Sequence, residues 1–318
     1  MGDAGLTARS YLRIARPDHW FKNVFVLPGT VFAALLSGTP LSDFAGSLAL
    51  GLLGICLVCS ANYVLNEWLD ASFDHFHPLK RDRPSVVGGL RRELVYAEYL
   101  GLSVLGLGLC AAASLHALWA AAALWGMGIV YNVEPLRSKD RIYLDVLSES
   151  INNPIRLAVG WFVVVDQPLP PASLLVGYWM LGGFLMAVKR YAELRFLGAD
   201  RASLYRRCFA YYSQESLMIS ALFYASAASF FLGIFLFKYR LELLLLFPAL
   251  AVAFAWYLWL GMQPNSPAQR PERLWREGRF LAFLLVIVAL AGLAFYVELP
   301  WLDWMLMPLF VGEAAAPG

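Results

Sequence analysis

Residues 62–84 read NYVLNEWLDASFDHFHPLKRDRP, and they run on from an apolar stretch that begins near Ala45. Residues four apart share one face of a helix. Asn62, Asn66, Asp70 and Asp74 therefore form a single polar stripe about three turns long, with Glu67 beside it. A carboxylate at the centre of a bilayer costs roughly 2.5–3.5 kcal/mol on insertion scales. A stripe of this kind is expected to face a polar cavity and not lipid. Amide and carboxylate oxygens suit hard cations, and Mg2+ commonly takes one or two carboxylates while keeping substrate phosphates as further ligands. The competing reading, that Asp70 and Asp74 lie past the membrane and are simply solvated, leaves the inward continuation through Asn66 and Asn62 unexplained.

Outward from this stretch the chain is strongly apolar. Of its 318 residues 60% are hydrophobic and 15% charged, with a mean hydropathy of +0.60; a soluble domain carries about 25% charge. The apolar residues gather in nine blocks, at about 21–36, 45–69, 94–114, 117–133, 143–165, 172–191, 216–237, 241–261 and 280–297. A membrane-spanning helix needs about 20 residues. The expected class is an all-α polytopic membrane protein, one domain over residues 1–318, with nine transmembrane helices around a central cavity. No cleavable signal peptide is evident, so the first block is expected to be a retained helix.

The net charge of +2 conceals an asymmetry. Arg9, Arg13, Arg16 and Lys22 precede the first block, Lys80, Arg81, Arg83, Arg91 and Arg92 follow the second, and Arg137, Lys139 and Arg141 follow the fourth. A further group including Arg195, Arg201, Arg206 and Arg207 follows the sixth, and Arg270, Arg273, Arg276 and Arg279 follow the eighth; the alternate connections hold only Lys238 and Arg240. Lys and Arg are retained on the cytoplasmic side. The N-terminus is expected inside, the C-terminus outside, and the polar loops with any active site on the cytoplasmic face of the cell membrane. The tail after Val297, with Trp301 and Trp304, suits an outer interfacial segment.

Three more helix ends carry polar faces. In YLDVLSESINNPIRLAVGW (residues 143–161), Asp145, Glu149, Asn152 and Arg156 fall on one face with Asn153 alongside. Pro154 is expected to kink this helix, and such breaks line cavities. Glu149 and Arg156 also suit a buried structural ion pair. The sixth block ends in MAVKRYAELR, where Lys189 and Glu193 share a face flanked by Arg190 and Tyr191; the first begins RPDHWFKNV, with Lys22 and Asn23 at its inner end. Tyr131 closes the fourth. Acids together with this many bases point to a polyanion, a phosphate or diphosphate, held through a metal and through Lys and Arg directly. Cys56 and Cys59 form a C-x-x-C inside an apolar helix and read as small buried hydrophobes. Among the histidines, His75 and His77 stand beside the acidic stretch.

These residues resemble a family. N-E-W-L-D-A-S-F-D at residues 66–74 is similar to the N-D-x-x-D-x-x-x-D signature of the UbiA superfamily of intramembrane prenyltransferases. HPLKRDRP at 77–84, RPDHWFKNVFV at 16–26 and KRYAEL at 189–194 resemble motifs of its decaprenyl-phosphate phosphoribosyltransferase branch. The likeness covers about residues 16–212. It implies nine transmembrane helices around a cavity capped on the cytoplasmic side, Mg2+ held by Asn66, Asp70 and Asp74, and a catalytic set of those three with Lys189. Substrate contacts are expected from Lys22, Asn23, Lys80, Arg81, Arg83, Tyr131, Lys139, Asp145, Arg156, Arg190, Tyr191 and Glu193. Family members using a polyprenyl diphosphate carry a second Asp-rich motif near the end of the sixth helix, where this chain has Lys189-Arg190-Tyr191-Ala192-Glu193. The basic replacement suits phosphoribosyl diphosphate, which has an additional phosphate at the sugar 5-position. Three departures stand out: Glu67 replaces an Asp, Val188 replaces a Gly usual before the Lys-Arg-Tyr, and SESINNP (148–154) is more polar than the branch pattern. The implied reaction moves 5-phosphoribose to a polyprenyl phosphate; the alternatives are prenyl transfer to an aromatic or other acceptor, and a non-enzymatic membrane transporter. Expected partners are those two substrates and membrane lipids, with no nucleic acid; a homo-oligomer is left open.

Overall fold

The computed structural model describes residues 8–264, 266–269, 274 and 276–306, and among the described residues the regular structure is all helix, without a β-strand. Arg270, Arg273 and the tail beyond 306 lie outside them. In chain order the helices are α1 (Ala8–Ala15), α2 (Leu27–Ser37), α3 (Leu41–Asp74), α4 (Pro84–Val87), α5 (Arg92–Ala113), α6 (Leu115–Asn132), α7 (Leu144–Ser150), α8 (Asn152–Phe162), α9 (Ala172–Leu197), α10 (Ala199–Tyr205), α11 (Gln214–Tyr239), α12 (Phe247–Gly261), α13 (Gly278–Ala294) and α14 (Pro300–Leu306). Turns of 3-10 helix join them, notably Pro17–Val26 before α2 and Leu241–Leu246 before α12.

Six helical segments among the described residues are long and apolar enough to cross a membrane: Ala8–Ser37, Leu41–Asp74, Arg92–Ala113, Ala172–Leu197, Gln214–Tyr239 and Leu241–Gly261. The other three apolar blocks are helical but do not meet that measure. α6 is diluted by His116 and Asn132, the block at 143–165 is split in two, and α13 has 17 residues. The split lies at Ile151, three residues ahead of Pro154. Proline has no N–H for the carbonyl four residues back, and its ring crowds that carbonyl. Here that carbonyl belongs to Ser150, the last residue of α7.

Close packing fixes the elements around the cavity. α2 lies directly on α8 through two glycines: a Cβ on Gly29 would stand 1.9 Å from the Leu157 carbonyl oxygen, and one on Gly160 would stand 2.0 Å from that of Val26. Backbones approach this closely only where side chains are absent, the usual device for joining helices in lipid. Thr30 Oγ1 donates to the Gly160 carbonyl at 3.0 Å across the same contact. This junction presses Lys22 and Asn23, in the 3-10 segment, toward α8. One apolar cluster joins α9, α11, α12 and α13 around Phe184, Tyr224, Tyr257 and Phe280, and another joins α3, α5, α6 and α8 around Ile55, Val58, Leu124 and Val159. The cavity lies between these two halves.

Candidate active site

A cavity of about 1250 Å³ is walled by parts of α3, α6, α7, α8 and α9, and by the 3-10 segment Pro17–Val26, α12 and α13. All four residues of the α3 stripe, Asn62, Asn66, Asp70 and Asp74, line it, as do Lys22, Lys80, Arg83, Tyr131, Arg156, Lys189 and Glu193. Part of the lining is apolar: Leu124, Leu181, Phe184, Leu250, Phe254 and Leu284. The space can take a charged head together with a hydrocarbon tail.

The acids are held by cations. Asp70 accepts from Arg137 Nη2 at 2.9 Å and from Lys139 Nζ, and Asn66 donates to it at 3.3 Å. Lys139 also donates to Asn132 Oδ1 at 2.8 Å. Asp74 is buried against Arg83. Glu67, 2% exposed, accepts from Arg16 Nε at 3.0 Å, which explains the departure from Asp: the longer side chain reaches Arg16 and is committed to it. Across the cavity, Arg190 is fully buried and donates to Asp145 at 2.8 Å, Glu149 at 2.6 Å and Glu193 at 2.9 Å. Tyr131 donates to Glu149 at 2.8 Å and accepts from Arg206 at 2.9 Å and from Arg190 at 3.2 Å.

Lys80, Arg206 and Arg156 are among the cations of the wall that have no carboxylate within 4 Å among the described residues. Lys80 meets the Tyr205 hydroxyl and ring. Arg206 meets Tyr131. Arg156 donates to Asn23 Oδ1 at 3.0 Å, Asn153 Oδ1 at 3.4 Å and Cys59 Sγ at 3.3 Å, all neutral. Uncompensated charges beside a low-dielectric interior are costly; together they prepare the cavity for an anion. Outside the membrane-spanning segments, burial pushes the Lys80 ammonium down to about 8 against the pull of Glu193, and pushes Lys139 down to about 8 against Asp70.

Several expected contacts are placed elsewhere. Arg81 points into solvent, because the turns after His77 carry it away from the cavity while Arg83 turns back to Asp74. Tyr191 lies in an apolar cluster with Leu194, Tyr205 and Phe209. Asp145 and Arg190 form a buried pair behind the wall; Asn23 and Lys139 stand one layer back, holding Arg156 and Asp70. The Glu149–Arg156 pair is not formed: the break at Ile151 separates their helices, and Glu149 pairs with Arg190 and with Lys189 at 3.6 Å. Cys59, read as purely structural, touches Arg156 and lines the cavity. His77 stacks edge-on with Tyr205 at 4.7 Å and lines it too, whereas His75 is exposed. Sequence reasoning missed Arg16, His19, Tyr63, Asn132, Arg137, Tyr205 and Arg206 as members or supports of the site. Arg206 lies in a loop far along the chain, with no motif to mark it.

The donor set fits a magnesium ion. Asn66, Asp70 and Asp74 provide one amide and two carboxylates on one wall; among the described residues no three His, Cys, Asp or Glu side chains are grouped so as to hold a metal by themselves, and the three carboxylates that meet at Arg190 are taken up by its guanidinium. That number of carboxylates suits Mg2+ shared with substrate phosphates.

Residues 26–284 match the UbiA prenyltransferase family. The chain belongs to this family. A decaprenyl-phosphate phosphoribosyltransferase of Mycolicibacterium smegmatis is 32% identical over 209 residues, 64% of this chain and 62% of that protein, so the match spans less than two thirds of that relative's length. Nodulation protein NoeC of Azorhizobium caulinodans is 31% identical over 229 residues, 71% of each chain. A protoheme IX farnesyltransferase of Alkalihalophilus pseudofirmus is 25% identical over 60% of this chain and 62% of that one. A UbiA homologue from Archaeoglobus fulgidus bound to GPP and Mg2+ superposes with a TM-score of 0.67 at 18% identity, covering 91% of this chain and 100% of that one. This UbiA member thus shares the fold of that structure and is an integral membrane protein of a transferase family.

Proposed function

We propose that the protein transfers 5-phosphoribose from phosphoribosyl diphosphate to a polyprenyl phosphate, with Mg2+ as cofactor and release of pyrophosphate. The observation that carries the reading is the end of α9. It presents Lys189 to the cavity, and the acids that face the α3 stripe there, Glu149 and Glu193, are both paired with the buried Arg190. One metal set opposed by cations suits a donor with a phosphate at each end; a prenyl diphosphate has nothing to satisfy the far cations.

Asn66, Asp70 and Asp74 would hold the ion, which when bound neutralises the diphosphate. Lys80, Arg206 and Lys22 attract the same leaving group, stabilising charge that grows as the C1–O bond breaks. The bonding electron pair departs with pyrophosphate. A phosphate oxygen of the acceptor supplies the pair for the new bond to C1. That oxygen is already anionic, so no general base is needed. Lys189 and Arg156 serve the acceptor and sugar phosphates. The apolar lining receives the start of the polyprenyl tail. In this reading the chain crosses the cell membrane nine times, with its N-terminus and cavity mouth on the cytoplasmic side.

The test is incubation of the purified protein with labelled phosphoribosyl diphosphate, a polyprenyl phosphate and Mg2+. Label entering the lipid phase is the expected result. Reaction of a polyprenyl diphosphate alone overturns the reading in favour of prenyl transfer, which the farnesyltransferase relative keeps in view.

A further inference from the structure

A second recess lies on the far side of α8 from the active-site cavity. Its volume is about 450 Å³, inside the range of about 300–1,000 Å³ usual for ligand pockets. α8 packs against both α6 and α9 and forms the floor between them. Ile151, Pro154, Ala158 and Phe162 line this floor, with Trp119 on the α6 wall and Trp179 on the α9 wall. At 3.6 residues per turn these floor positions lie opposite Asn152, Asn153 and Arg156, which line the cavity.

The recess is apolar except at one end. Trp179 Nε1 is spent on the Leu147 carbonyl at 3.0 Å. A buried water needs two to four polar partners, and the walls do not offer them. His116 marks the polar end, its ring stacked on Phe162 at 5.2 Å. There Asp166 Oδ1 accepts from Ser114 Oγ at 2.8 Å and meets His116 Nδ1 at 3.2 Å. These bonds hold the Asp166 carboxyl below the usual carboxylate range. The side chain is exposed, and its other oxygen, Oδ2, has no hydrogen-bond partner among the described residues. Asp166 is the one charged residue of the loop 163–171.

Position and length say what fits. On α6, His116 is fifteen residues from Tyr131, a rise of roughly 22 Å, so the polar end of the recess is remote from the charged wall of the cavity. From Ile151 to Phe162 is eleven residues, a rise of roughly 16 Å. One leaflet is half of a hydrocarbon core about 30 Å thick. A hydrocarbon chain that starts at the membrane surface beside Asp166 therefore ends at the helix break. A lone carboxylate at the start favours a cationic head over an anionic one.

We propose that this groove holds one acyl chain of a phospholipid with a primary-amine headgroup, the chain lying along α8 between Trp119 and Trp179 and the ammonium paired with Asp166. In the orientation proposed above the lipid belongs to the outer leaflet. The site is separate from the transfer cavity and stands whichever group the enzyme transfers.

The experiment is native mass spectrometry of the purified, delipidated full-length protein, titrated with phosphatidylethanolamine or with phosphatidylglycerol of identical acyl chains. The parent is expected to hold its first lipid at least about 10-fold more tightly when that lipid is phosphatidylethanolamine, the scale of one charge-assisted hydrogen bond. Asp166→Asn, an exposed change, is expected to bring the two lipids within about threefold of each other. Ala158→Phe fills the floor and is expected to lose the tight first step. Ala123→Phe, on the exposed α6 wall, is expected to do the same and decides the matter if Ala158→Phe does not fold. Equal retention of the two lipids by the parent, or a preference that survives in Asp166→Asn, overturns the proposal. A tight step unchanged in the filled variants means annular lipid only and also overturns it. A two-chain species that the filled variants lose, with no preferred lipid in the parent, gives the groove to a second copy of this chain and overturns it as well.

Discussion

Arg190 Nε donates to Asp145 Oδ2 at 2.8 Å, with both side chains wholly buried, and joins α9 to α7 behind the cavity wall. The same guanidinium reaches Glu149 and Glu193, while the Tyr212 hydroxyl donates to the other Asp145 oxygen at 2.7 Å. Removing one member of a buried charge network leaves its partners uncompensated and costs about 3–5 kcal/mol. Arg190→Gln is therefore expected to lower stability by about that amount, read by chemical unfolding in detergent, whereas Tyr191→Phe next to it should change stability by under about 1 kcal/mol.

Asp70 and Asp74 are the proposed carboxylate ligands of the ion. Asp70→Asn and Asp74→Asn are each expected to reduce turnover by at least about 100-fold, the scale of losing strong electrostatic stabilisation of a developing charge. Chelation of divalent ions should abolish activity in the parent, and Mg2+ should restore it. Size-exclusion profiles of both variants should match the parent.

Arg81 and Arg83 are two residues apart and have opposite fates. Arg81 is in solvent, and Arg81→Ala should leave kcat/KM within about twofold of the parent, since surface changes are usually worth under about 0.5 kcal/mol. Arg83→Ala strips Asp74 of its buried counter-ion, and should both destabilise the protein and change the apparent Mg2+ affinity in a metal titration.

Lys80 and Lys139 are pushed down to about 8 by burial. Below that pH both are charged and attract the diphosphate or balance Asp70; above it they lose their protons and the attraction goes with them. The sign predicts that kcat/KM for the donor falls as pH rises through about 8. Lys80→Arg keeps its charge at any accessible pH and should move the alkaline limb upward. A profile flat to pH 10 in the parent contradicts this.

Much of the site was legible in the chain. The four-residue repeat from Asn62 to Asp74 marks one face of α3 because helical geometry leaves no other arrangement, and the structure lines the cavity with all four. Pro154 announced the break in the fifth apolar block for a similarly local reason. Arg206 was not legible. It reaches Tyr131 across 75 positions of sequence, and a lone arginine in a basic loop carries no sign of where that loop will fold. Arg190 and Tyr191 show the converse. They sit within a recognisable motif, yet the twist of α9 sends Lys189 into the cavity and its neighbours into the core.

By itself the sequence determined the membrane class, the helical periodicity and which residue types could share a face, because these follow from apolar length and from a repeat of 3.6 residues. Only the tertiary structure decided which charges neutralise each other and which are left for a ligand. Glu149 chose Arg190 and Lys189 over Arg156 because the break at Ile151 separates α7 from α8. That choice left Arg156 without an acid, and it rests on distances between helices that no one-dimensional pattern contains.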